Sequence, residues 1–207
     1  MSTVTLTWEE FLQEAIEFQK ISERLGDIWA LCKKDDEDGN TYLRYQQKIP
    51  NTIDSNSYAD PLGQNQSPLE DDSATAAPST KDLLQIEYHI VYSISYQVPV
   101  LYFRIYRSDG SLMNLEDAWR IFRGYVGNAG SAYATGHTTN EDMLNIMTQL
   151  DHPVLRRPYI AIHPCRTAEL LAQAGLSRNR VLTFISLMGP FVQLVLKNEY
   201  GLEFADG

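Results

Sequence analysis

The stretch Leu83–Arg107, LLQIEYHIVYSISYQVPVLYFRIYR, decides the fold. Ile86, Tyr88, Ile90, Tyr92, Ile94 and Tyr96 recur at every second position, so an extended chain lines them along one face. Branched and aromatic residues of this kind fit a half-buried pleated surface. Val98-Pro99 interrupts the run. Proline has no N–H for a ladder, so a turn or bulge there divides two antiparallel strands.

Upstream, Thr7 and Glu10 spell a capping box ahead of Trp8, Phe11, Leu12, Ala15 and Phe18. That spacing predicts an amphipathic helix ending near Gly26. Its polar face is rich in Glu and Gln, which favours packing on a core over contact with a membrane surface. IWALCKK and TYLRYQQK then flank the acidic turn DDEDGN and read as a hairpin, with Cys32 as a small buried hydrophobe. From Pro50 to Thr80 the chain turns to Ser, Asn, Asp, Pro and Ala with no apolar period. The expectation is a long flexible insertion (50–80) inside one domain spanning 1–207, since the pieces on either side are small.

Downstream, NLEDAWRIFRGY predicts a helix capped by Asn114. EDMLNIMTQL reads as a helix stopping before Pro153, YIAIH as a short strand, and RTAELLAQAG and RVLTFISLMG as helices. The class is α+β, with four antiparallel strands flanked by helices.

Over 207 residues the hydrophobic share is 43% and the formal net charge −10. Such a chain fills a core and lacks the positive surface that nonspecific nucleic-acid binding needs. The opening MSTVTLTWEEFLQEAIEF does not read as a signal peptide, and no apolar run is long enough to span a membrane. Two distant cysteines make a disulfide framework improbable, so a reducing, cytoplasmic setting is expected.

Cys165, in PYIAIHPCRTAELLAQAG, admits four readings. As a zinc ligand it lacks paired Cys or His spacing, with His163, His152 and His137 the nearest donors. As a protease nucleophile it lacks the known local signatures. As packing it is inert. As an exposed nucleophile it has support: it follows a strand, opens a helix whose free N–H groups favour a thiolate, precedes Arg166, and is held by Pro164.

HPC after an apolar strand, with YHIVYSISYQVPVLYFR, DHPVLRRPYIAIHPCRT and FISLMGPFVQLVL, resembles the autophagy E2-like conjugating enzymes over roughly Leu83 to Leu196. It is most similar to the branch that attaches a ubiquitin-like modifier to a protein acceptor. The resemblance implies an E2-like (UBC-like) fold with a four-stranded antiparallel sheet. It also implies three partners: an E1-like activating enzyme, the modifier, and an acceptor autophagy protein. Cys165 becomes the thioester-forming nucleophile, with His163 and Pro164 its motif neighbours. No cofactor or metal is needed, since ATP is used earlier, by the activating enzyme.

Ordinary ubiquitin-conjugating enzymes carry a His-Pro-Asn motif upstream of the cysteine. Here the place is taken by His152-Pro153-Val154, read as a turn pair. Oxyanion donors then come from elsewhere: Asn145, Asn140 or the backbone amide after Cys165, with Tyr88 and His89 as assisting candidates. Two readings stand beside this one: the sister branch that conjugates a modifier to phosphatidylethanolamine, and an inert E2-like binding module.

Overall fold

The computed structural model describes residues 4–35, 37–51, 83–128, 147–175 and 177–203. Helix α1 (Trp8–Arg24) starts as the capping box predicts: the Glu10 N–H donates to the Thr7 hydroxyl at 3.2 Å, and the Thr7 N–H to the Glu10 carboxylate at 2.7 Å. Phe11, Ala15, Phe18 and Ile21 form its buried face. The hairpin follows as β1 (Ala30–Lys33) and β2 (Thr41–Pro50), then β3 (Leu83–Ser93) and β4 (Val98–Tyr106). β2 and β3 pair from Tyr42 opposite Val91 to Pro50 opposite Leu83, so the strand ends that border the long intervening segment lie side by side. Helix α2 (Leu115–Asn128) begins at an Asn114 cap, whose side-chain oxygen accepts from the Asp117 N–H at 2.8 Å. After it come β5 (Met147–Asp151), β6 (Pro158–Ile162), α3 (Thr167–Gln173), α4 (Arg180–Met188) and the short α5 (Glu199–Leu202).

The strands form one antiparallel sheet in the order β1-β2-β3-β4-β6-β5. The sheet has six strands rather than the expected four. One addition is β5, in the stretch EDMLNIMTQL read as helical: Met147–Asp151 pairs residue for residue with Ile162–Pro158. Available pairing with β6 overrides the local propensity for helix. Asn140, Asn145, His137 and most of the 50–80 segment lie outside the described residues.

The alternation read from Leu83–Arg107 holds for β3 as far as Tyr92, and the break comes earlier than Val98-Pro99. β3 ends at Ser93, and the chain turns through Ile94–Gln97, with the Gln97 N–H donating to the Ser93 carbonyl at 2.7 Å. Pro99 sits inside β4 opposite Tyr92. It is tolerated because β4 meets β6 only at Tyr102 and Phe103, leaving no ladder bond for residue 99 to donate on that side.

Helices cover one face of the sheet. Phe11, Phe18, Tyr88, Phe103, Phe122 and Phe184 are fully or almost fully buried there. The Tyr88 hydroxyl, inside this core, donates to the Val192 carbonyl at 2.7 Å. On the opposite face Tyr42, Val91, Val100, Tyr102, Tyr159 and Ala161 form a second cluster, closed by Val154 from the β5–β6 connection. Cys32 is half-buried at the margin of this cluster, less enclosed than expected.

Candidate active site at Cys165

β6 carries the chain out of the sheet with Ile162 still buried. His163 keeps an extended backbone (φ −61°, ψ 130°), and Pro164, buried, opens a single tight helical turn over Pro164–Arg166. Proline suits the first position of such a turn, where its missing N–H has no partner to lose. Cys165 stands exposed in this turn, just ahead of α3.

His163 is tied into the same turn. Its Nδ1 accepts the Cys165 backbone N–H at 3.2 Å. A backbone amide only donates, so Nδ1 is unprotonated and the neutral ring carries its hydrogen on Nε2. Nε2 lies 3.5 Å from the Tyr96 hydroxyl oxygen, and the two rings meet edge to face with centroids 5.6 Å apart. With the imidazole as donor, the phenol hydrogen is left free to point elsewhere.

Tyr96 belongs to the β3–β4 turn. It is 44% exposed and its neighbour Ile94 is 84% exposed, so this turn is an apolar, solvent-facing wall beside the HPC turn. Gln97 closes the turn in the left-handed region at φ 53°. The sequence reading placed Ile94 and Tyr96 on the buried row of β3, and the turn takes both off it.

The assisting candidates go elsewhere. The sheet register puts Ser93 opposite Val98. His89 is four residues back from that end of β3, about 13 Å along an extended strand. Tyr88 is committed to Val192 and Gln47. His89 faces the second cluster, where its Nδ1 is 3.0 Å from His152 Nε2. The hydrogen bonds of both run to these partners and not to Cys165. His152 is fully buried, its Nδ1 accepting the N–H groups of Val154 and Leu155 at 3.2 and 3.1 Å. It fixes the turn that the His-Pro pair suggested.

Electrostatics differ sharply between these places. Burial holds His152 far below the ordinary histidine range, at about 3, and pushes His89 in the same direction. The His89 ring nitrogen 3.3 Å away and then the Arg44 guanidinium hold the Glu87 carboxyl down at about 2. Burial raises the Cys32 thiol, which holds that half-buried sulfur back from ionising.

Two clefts lie away from the thiol. One, of about 500 Å³, is lined by Lys48, Gln85 and Arg107, and the other, of about 230 Å³, by Arg104, Met113 and Tyr159. Among the described residues no three His, Cys, Asp or Glu side chains are grouped to hold a metal ion, and no helix is long and apolar enough to cross a membrane. Cys165 stands on an exposed turn, a placement that another protein can reach.

The fold is α+β, with helices on one face of an antiparallel sheet and Cys165 exposed in the turn that follows β6, the strand next to the sheet edge. The chain belongs to the autophagocytosis-associated proteins: the family model for their active-site domain matches residues 10–199. It is similar to the human ubiquitin-like-conjugating enzyme ATG10, with 29% identity over 211 residues covering 92% of this chain and 90% of that one. A protein of the same description from Arabidopsis thaliana is 37% identical over 94 residues, covering 44% of this chain and 38% of that one. A crystal structure described as autophagic E2, Atg10, overlays with a TM-score of 0.49 at 17% identity, covering 89% of this chain and 94% of that one. The transferase class expected from the sequence is the class these relatives are named for.

Proposed function

We propose that the protein carries a ubiquitin-like modifier as a thioester on Cys165, receiving it from an E1-like activating enzyme and passing it to a lysine of an acceptor protein of autophagy. The observation that supports this most is the exposed Cys165 in a turn that His163 ties to its own backbone, with Tyr96 set against the His163 ring.

The Cys165 thiolate attacks the carbonyl carbon of the modifier's terminal glycine. A new C–S bond forms as the bond to the activating enzyme's sulfur breaks, and that sulfur leaves as the thiolate. In the second step the lysine amine attacks the same carbon, the C–S bond breaks, and the amine's proton is released as the isopeptide bond forms. Each step passes through a tetrahedral oxyanion that needs donors. Tyr96, its hydroxyl hydrogen left free by the His163 tautomer, is the donor we assign from the described residues, together with backbone N–H groups of the turn. His163 holds the turn and sets the hydrogen-bond direction of Tyr96. No cofactor enters either step, and the setting is the cytoplasm.

The test is charging with activating enzyme, modifier and ATP. Wild type should form an adduct cleaved by reducing agent. Cys165→Ser should form one that resists reduction, and Cys165→Ala none. Absence of the adduct from wild type overturns the proposal, and transfer to phosphatidylethanolamine in place of a protein lysine overturns the acceptor assignment.

A further inference from the structure

Residues Val4–Leu6 run as an extended strap ahead of the Thr7 cap of α1. The N–H groups of residues two apart point to the same edge of an extended chain. The Val4 N–H donates to the Ala168 carbonyl at 3.3 Å, and the Leu6 N–H to the Gln97 carbonyl at 2.7 Å. Ala168 lies in the first turn of α3, directly beyond the HPC turn, and Gln97 closes the turn that presents Tyr96. One short segment therefore ties the Tyr96 turn to the first turn of α3, which continues directly from the turn that carries Cys165.

The strap is itself held from behind. The Tyr92 hydroxyl donates to the Leu6 carbonyl at 2.7 Å, and the Arg180 guanidinium to the Thr5 carbonyl at 3.2 Å. Leu6 is 1% exposed, anchored in the main core, and Tyr92 is fixed by ring contacts to Trp8 and Phe11. Gln97 gains from the arrangement. A non-glycine residue stays in the left-handed region only where its surroundings over-determine it, and the bond from Leu6 is one of those constraints.

We propose that the Val4–Leu6 strap is a positioning element for Cys165, fixing the gap between the Tyr96 turn and the His163–Arg166 turn so that displacement of the strap retunes the thiol. Its consequence for modifier transfer rests on the thioester function proposed above. The positioning is a property of the folded chain alone.

Two variants loosen the strap with little change to the core. Tyr92→Phe removes one hydroxyl and keeps the ring, and Val4→Pro removes the N–H that Ala168 accepts. Ile49→Val, in β2 and outside the strap, serves as a control for general destabilisation. The readout is the rate of Cys165 alkylation by iodoacetamide, resolved from Cys32 by peptide mass spectrometry, on the full chain from pH 6 to pH 9. Both strap variants should change that rate by about threefold or more in the same direction, with Ile49→Val unchanged. The double variant should fall short of the product of the singles, because both act through one segment. Rates matching wild type across the pH range, with melting lowered only as in the control, overturn the proposal. Alkylation needs no partner protein, so a wild type that fails to charge removes the proposed function and leaves the strap standing, and the reverse outcome separates them the other way.

Discussion

His89 Nδ1 and His152 Nε2 lie 3.0 Å apart on the face of the sheet away from the helices, and only one arrangement of protons satisfies the pair. The Val154 and Leu155 amides can only donate, so His152 Nδ1 accepts and its hydrogen is on Nε2. His89 Nδ1 must then accept, placing its own hydrogen on Nε2, 3.3 Å from Glu87 Oε1. That N–H faces the carboxylate without meeting hydrogen-bond geometry, a neutral ring dipole beside a negative charge. Arg44, 2.9 Å from Glu87, ends the chain. The arrangement requires two neutral histidines and an ionised carboxylate.

Acid should therefore loosen the fold well before it protonates most carboxylates. A histidine held low in the folded state binds its proton first in the unfolded chain, so its stabilising contribution is full above about pH 6.5 and is lost as pH falls. With His152 near 3 in the folded protein, the loss at pH 5 is about 2 kcal/mol, and His89 adds in the same direction. Glu87, held at about 2, loses its contribution only below the ordinary carboxylate range, also on the acid side. Arg157, Arg104 and Arg44 surround the cluster and oppose a further positive charge. Urea unfolding at pH 7 and pH 5 measures the difference. His152→Gln, which removes the titrating ring, should flatten it. Equal stability of wild type at the two values would refute this account.

Cys165 was legible in the sequence because strand, proline and helix signals bracket it, and each is a local effect. Tyr96 was not. The every-second-residue pattern of β3 runs on through Ile94 and Tyr96, and the Ile94–Gln97 turn carries no glycine, asparagine or proline to mark the change. The turn is held by longer-range bonds, including the one from Leu6. The β5 strand was hidden for a related reason, since five residues of mixed character become a strand only when β6 is there to pair with them. The alternation did carry more than was taken from it. Adjacent residues of a strand face opposite ways, so Tyr88 and His89 were never able to serve one site together.

Glu14 should be among the more sensitive positions for stability. Its carboxylate, 10% exposed, accepts from the Arg180 side chain at 2.8 and 2.6 Å and from the N–H groups of Arg180 and Val181 at 2.6 and 3.2 Å. It thus joins α1 to the start of α4. Removing Glu14 leaves two amides without their acceptor and the guanidinium with only Glu10 and the Thr5 carbonyl, a loss of about 2 kcal/mol. Glu14→Ala should lower the urea midpoint accordingly, while Glu9→Ala, on the exposed face of the same helix, should change it by under about 0.5 kcal/mol. Similar effects of the two substitutions would show that the contact between Glu14 and Arg180 contributes little.

His163 and Tyr96 should separate in their effects on transfer. His163 does two things: its Nδ1 accepts the Cys165 amide, and its Nε2 faces the Tyr96 hydroxyl. His163→Asn keeps a side-chain oxygen able to accept the amide and loses the second contact, whereas His163→Ala loses both. Tyr96→Phe keeps the ring edge against the imidazole and loses the donor. If the phenol stabilises the oxyanion, Tyr96→Phe should slow discharge of a pre-charged enzyme to lysine by about tenfold or more, with thermal stability nearly unchanged. His163→Ala should impair both charging and discharge, because the turn carrying the thiol loses its tie. His163→Asn should charge nearly as wild type and discharge as slowly as Tyr96→Phe. Single-turnover discharge with excess lysine, followed by loss of the thioester band, measures all three variants. A Tyr96→Phe enzyme that discharges at the wild-type rate would remove the phenol from the reaction and leave the backbone amides of the HPC turn to hold the oxyanion.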